Sequence, residues 1–304
     1  MIIDRVGQIE GSLYMLGNAA IPVYLWDGER PIVFDAGFAF LGKTYAEAIE
    51  ATLGGGRRPA ICALTHSHFD HCGAAGYFKR RFAGLQTAAA EHAQAILARP
   101  NAISLMRELT KASVQTAAIN GFAADPAIEF EPFDIDMVLK EGDVLHPSED
   151  TVVQVLETPG HTRDCLSFYI PSRKALIASE AAGIMDTTGY IVSDCLVDYG
   201  MYLDSLKRLS QLDVGILCLG HRYALSGEDA RRYLSRSIAH CLEFRDIVAD
   251  SLDREHNDLA RTVQAIKAWE YDGKPEPKQP EPAYRINLEA RVNAVAKHLG
   301  KSLS

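Results

Sequence analysis

The chain has 304 residues, 47% of them hydrophobic, and a formal net charge of −9. That length buries a large core. The acidic balance argues against general nucleic-acid binding, which needs basic surface for phosphates, and no apolar run is long enough to span a membrane.

The first part predicts short strands at Ser12–Leu16, Val23–Trp26 and Pro31–Phe34, separated by Gly, Asn and Asp turn signals. Thr44–Leu53 follows as a helix stopped by Gly54-Gly55-Gly56. Ile61–Leu64 is the next strand and Ala74–Phe82 the next helix; Gln86–Ala90 reads as a strand. Glu91–Leu97 begins a helix that Pro100 interrupts. Across 101–122, Ile103, Met106, Leu109, Val114 and Ile119 recur at helical spacing, as core or as a wall facing substrate.

The second half restarts the strand pattern at Met137–Leu139, Thr151–Leu156, Cys165–Ile170 and Ala175–Ala178. Tyr202–Leu212 reads as a helix and Gly215–Leu219 as a buried strand. Strands and helices arranged this way twice fit two packed sheets with helices outside. After His221 the character changes: Gly227–Ser251 and Glu255–Tyr271 read as helices, Asp272–Pro282 as a loop, and Arg285–Leu299 as a last helix. We therefore expect a body at 1–226 and a helical cap or dimerisation subdomain at 227–304.

The densest chemistry lies at 64–73, Leu-Thr-His-Ser-His-Phe-Asp-His-Cys-Gly. Alternate residues of an extended segment point the same way, so His66 and His68 can face one ion. Asp70 and His71 follow once the chain has begun to turn, and can face a second. Imidazole and carboxylate together suit zinc, iron and manganese. The six cysteines show no C-x-x-C spacing and read as buried reduced thiols, with Cys72 a wall beside His71. The start, Met1-Ile2-Ile3-Asp4-Arg5, has no long apolar region, so a cytoplasmic location is expected.

Thr65-His66-Ser67-His68-Phe69-Asp70-His71 resembles the T-H-x-H-x-D-H signature of the metallo-β-lactamase superfamily. Asp35-Ala36-Gly37, Thr158-Pro159-Gly160-His161-Thr162 and Leu219-Gly220-His221 resemble its other loops, in the right order. Leu16–Leu25, Asp70-His71-Cys72-Gly73 and His161-Thr162-Arg163-Asp164 are similar to the PqsE-type thioesterase and response proteins of that superfamily.

The resemblance implies an α/β fold, the four-layer αββα sandwich, here with a C-terminal helical extension. It implies two divalent ions, zinc or iron with manganese as a third option. His66, His68 and His161 would hold the first; Asp70, His71 and His221 the second. The family's bridging Asp is replaced by Glu180, whose arm is longer by roughly 1.5 Å, so the ion count stays open.

A hydroxide formed between the ions would cleave a thioester, or a related ester or lactone, of a small molecule. Asp70 is also a candidate for proton transfer to the leaving group. Asp35, Thr65 and Asp164 would orient the ligands from behind, and Tyr223 is a candidate for touching substrate. The glycines before His161 and His221 are expected to allow sharp turns. A phosphodiesterase, and a regulator acting through a partner with incidental hydrolysis, are the alternatives. The C-terminal helices are candidates for a homodimer surface.

Overall fold

A computed structural model describes residues 1–119, 124–125 and 127–304. The end of the stretch predicted as helix, residues 120–122, and the Ile119 side chain lie outside the described residues.

The first half runs β1 (Ile2–Ile3), β2 (Gly7–Glu10), β3 (Leu13–Asn18), β4 (Ile21–Trp26), β5 (Ile32–Phe34), α1 (Gly42–Leu53), β6 (Ile61–Ala63), α2 (Ala75–Arg81), β7 (Gln86–Ala90), α3 (Glu91–Leu97), α4 (Pro100–Ile119) and β8 (Met137–Leu139). The second runs β9 (Val144–Ser148), β10 (Thr151–Glu157), β11 (Leu166–Ile170), β12 (Ala175–Ile177), β13 (Ile184–Met185), β14 (Ile191–Val192), α5 (Tyr199–Leu209), β15 (Ile216–Cys218) and β16 (Ala224–Ser226). Three helices follow: α6 (Glu228–Arg254), α7 (Leu259–Lys267) and α8 (Glu281–His298).

Two seven-stranded sheets result, ordered β2-β3-β4-β5-β6-β7-β8 and β1-β16-β15-β12-β11-β10-β9. Pairing is parallel from β5 to β8 and between β12 and β15. The central strands β5, β6, β12 and β15 are buried along their whole length, because both faces are covered. That is why each is a continuous apolar run in the sequence.

Three apolar clusters give the layers. Trp26, Phe34, Phe168 and Ile177 pack between the sheets. Ile49, Phe78 and Leu97 cover the outer face of the first sheet. Leu206, Phe244, Leu288 and Val292 join Leu176 and Leu217 on the outer face of the second. The helices after Gly227 thus share one continuous core with that sheet. This is the αββα sandwich with helices added at its C-terminal end.

The Glu91 helix ends at Leu97, ahead of Pro100, and Pro100 also starts the next helix, at the first position of α4, where its missing N–H costs nothing. The last helix begins at Glu281, inside the stretch expected to be a loop, again just after a proline. Among the described residues no helix is long and apolar enough to cross a membrane.

Candidate metal centre

The loops after β5, β6, β10, β12 and β15 converge at one edge of the sandwich. They bring Asp35, the 65–71 run, His161, Glu180 and His221 together. Leu166 N–H donates to the Thr65 carbonyl at 2.7 Å, which ties the two sheets at this edge.

Among the described residues three sets of donors form. The ligand atoms of His66, His68 and His161 lie within 4.8 Å of one another, as do those of Asp70, His71 and His221. A third set, His66, His71 and Glu180, links the two. His161 Nε2 comes within 3.1 Å of His68 Nδ1. Glu180 Oε1 lies 2.9 Å from His71 Nε2 and 2.7 Å from His221 Nε2, and Oε2 lies 3.8 Å from His66 Nε2. Asp70 Oδ2 is 3.8 Å from both His71 Nε2 and His221 Nε2.

Three of the imidazoles are aimed by their far nitrogens. His66 Nδ1 faces Thr65 Oγ1 at 3.0 Å. His71 Nδ1 meets Asp35 Oδ2 at 2.9 Å. His161 Nδ1 meets the Asp194 carbonyl at 2.8 Å and its carboxylate at 3.1 Å. Fixing one ring nitrogen sets the tautomer and leaves the other free to act as a donor to a cation.

Asp35 also accepts from the Thr65 N–H at 2.7 Å and from its hydroxyl at 2.9 Å. It holds a left-handed backbone (φ 61°), which Asp tolerates better than most residues. Ser179 (φ 50°) is similarly placed, and its hydroxyl donates to Glu180 Oε2 at 2.5 Å.

The test for a cation is what these groups lack. His66 Nε2, His71 Nε2 and Glu180 Oε1 are buried and, among the described residues, have no hydrogen-bond partner. The short approaches of Glu180 Oε1 therefore lack hydrogen-bond geometry. Buried polar atoms without partners are costly, and three pointing at one another call for something between them. A divalent cation fits both the unmet hydrogen-bonding capacity and the donor types.

Charge divides the rings of the cluster. Burial and then the neighbouring His71 and His68 rings hold His66 well below the usual imidazole range. Burial and the His161 ring push His68 down to about 4. Burial opposes protonation of His161 too, but the Asp194 carboxylate outweighs it and pushes that ring up to about 9. Burial likewise opposes ionisation of Glu180, yet His71 and His221 hold it well below the carboxylate range. That carboxylate is thus ready as an anionic donor.

The residues around the donors take these places. Asp164 accepts from the Ser67 N–H at 2.7 Å and so fixes the turn between His66 and His68. His161 is held by Asp194, which no sequence motif marked. Gly160 has φ +132°, and a side chain there would run into the Tyr202 backbone. Gly220, by contrast, has no left-handed backbone; its role is to leave room, since a Cβ there would overlap Glu180 Oε1. Cys72 is buried, and its thiol reaches the Ser67 carbonyl at 3.5 Å, outside the donor sets. Tyr223 packs, partly buried, against the outer cluster of the second sheet.

The metallo-beta-lactamase superfamily model matches residues 20–221. Human acyl-coenzyme A thioesterase MBLAC2 is 26% identical over 252 residues, covering 78% of this chain and 85% of that protein. A hydroxyacylglutathione hydrolase of Rhodopseudomonas palustris is 37% identical over 95 residues, 31% of this chain and 35% of that protein. Among solved structures, a metallo-beta-lactamase family protein from Thermus thermophilus superposes with a TM-score of 0.64 at 19% identity, covering 96% of this chain and 94% of its own. An archaeal superfamily protein from Sulfolobus tokodaii gives 0.61 at 16%, with 94% and 98% covered. With five loops meeting at one edge of the sandwich and the family model spanning them, this chain belongs to the metallo-β-lactamase superfamily of hydrolases.

Proposed function

We propose that this hydrolase cleaves a thioester, or a closely related ester or lactone, of a small molecule, with two divalent cations at the centre. The observation that carries the reading is the convergence of seven donors from separate loops with inward atoms left unpartnered. His66, His68 and His161 would hold one cation; Asp70, His71 and His221 the other; Glu180 stands between the two sets. When bound, such cations lower the pKa of water and draw charge from a carbonyl oxygen.

The chain's own residues do the rest. Asp35, Thr65 and Asp194 fix ring orientation. Asp164 fixes the Ser67 turn. Asp70, the half-buried acid at the mouth, is placed to hold or pass a proton to the leaving group. Tyr223, two residues after His221, is a further candidate for touching substrate. The human relative's name as an acyl-coenzyme A thioesterase supports a thioester over a phosphodiester, and the net charge of −9 speaks against nucleic-acid substrates. The same reading takes 1–226 as the catalytic body and 227–304 as a cap. It includes a homodimer through the C-terminal helices, where Trp269 and Ile286 stand 50% and 68% exposed; sedimentation of the purified chain tests it.

The experiment for the activity is metal analysis of purified protein together with a panel of acyl-CoA, acyl-homoserine lactone, S-lactoylglutathione and bis(p-nitrophenyl) phosphate. Two metals per chain and turnover of an acyl ester or thioester are expected. Turnover of the phosphodiester alone overturns the reading, as does a protein that binds no metal and turns over nothing on the panel.

A further inference from the structure

Beside the donor cluster lies a cavity of about 320 Å³ between α4 and the loops carrying Ser67 and Thr162. Its walls include Phe69, Ile96, Leu105, Met106, Leu109 and Val197. His68 and Asp164 line it as well, so it is continuous with the proposed metal centre. Leu105 and Leu109 are four apart on α4 and share one face. They remain 54% and 37% exposed, an unusual use of two leucines in one surface hollow. Polar groups collect at one set of residues: Arg163 is exposed, and Asp164 Oδ1 is buried with no hydrogen-bond partner among the described residues.

We propose that this cavity takes the aliphatic acyl chain of the substrate, and so makes the enzyme selective for apolar acyl groups. The proposal rests on the ester or thioester reading above. A group seated against Phe69 and His68 is within covalent reach of a carbonyl held at the cluster. The volume falls in the range of small-molecule sites. A short acyl group would leave Leu105 and Leu109 wet, and a hydroxyl on a longer one would lose its hydration against them. An unbranched alkyl chain loses nothing there and gains with every methylene buried. The cavity thus favours an apolar acyl substrate over a polar one such as a lactoyl thioester.

The test measures binding and turnover separately, on the metal-loaded protein. Binding of butanoate, hexanoate, octanoate and decanoate is followed by calorimetry. The dissociation constant should fall about fourfold per added methylene. In the pair Leu105→Asp with Leu109→Asp that gradient should flatten, and Leu105→Ile with Leu109→Ile should restore it. Metal content and melting temperature of each variant show that the fold is intact, and the exposed position of both residues makes that the expected result. Turnover of the matching acyl-CoA series is the second arm. Graded acid binding without any thioester turnover keeps the pocket and ends the thioester reading. Thioester turnover with chain-length-independent binding keeps that reading and overturns the pocket.

Discussion

Gly220 and Glu180 are packed so closely that a methyl group on the glycine would occupy the place of Glu180 Oε1. Glu is longer than the Asp the family signature leads one to expect, and a neighbour without a side chain makes room for it. Gly220→Ala should therefore displace the carboxylate from His71 and His221. Overpacking of this kind costs about 1–3 kcal/mol, and metal content should fall with it. Glu180→Asp, with Gly220 unchanged, withdraws the carboxylate by roughly 1.5 Å. Metal titration should show affinity weakened by about tenfold or more. Full metal retention in both variants would refute the coupling.

The backs of the imidazoles offer a second check. Asp35→Asn keeps a residue that tolerates φ 61° but places an amide where His71 Nδ1 and the Thr65 hydroxyl need an acceptor. Asp194→Asn does the same behind His161, while leaving the Asp194 carbonyl contact in place. Metal affinity should drop about 10- to 100-fold in each, with the greater effect at Asp35, which serves two residues. Competition against a chelating dye measures it. Unchanged affinity would mean that the rings are held by packing alone.

Removing the cations should destabilise the whole domain. Unpartnered His66 Nε2, His71 Nε2 and Glu180 Oε1 are then left buried among one another. A ligand at 100 times its Kd stabilises by about 2.7 kcal/mol. A chelator should lower the melting temperature, and zinc, iron or manganese should restore it. A melting temperature indifferent to chelation and to added metal would count against a metal centre.

The C-terminal helices connect to the site through a buried ion pair. Arg291 on α8 pairs with both oxygens of Glu270 at 2.8 Å and lies over the Phe244 ring. Its Nε also donates to the Ser193 carbonyl at 2.8 Å, one residue before the Asp194 that orients His161. Breaking a buried pair from one side costs about 3–5 kcal/mol, so Glu270→Gln should be strongly destabilising at pH 7.

The pH dependence has a definite sign. Burial opposes ionisation of Glu270, but Arg291 outweighs it and holds the carboxyl below its ordinary value. The unfolded chain therefore binds more protons in acid. The stability this adds is complete above the unfolded Glu pKa of about 4.3 and is lost as pH falls through the depressed folded value. Urea unfolding at stepped acid pH should show that part of the slope in the wild type and not in Glu270→Gln. Parallel curves would remove the pair from the acid response.

The sequence alone determined the features set by local chemistry. His66, His68, Asp70 and His71 are close in space because they are close in the chain, and the fully buried strands read as apolar runs because both of their faces are covered. Strands β13 and β14, two residues each, and β9, an edge strand containing Pro147, carry too little pattern to be read. Tertiary structure alone decided which distant groups meet. That Asp194 backs His161, that Gly220 yields space to Glu180, and that Leu105 and Leu109 line a cavity beside His68 are consequences of how five loops and α4 converge. Periodicity specifies which face of an element is buried, but not what a neighbouring element places against it.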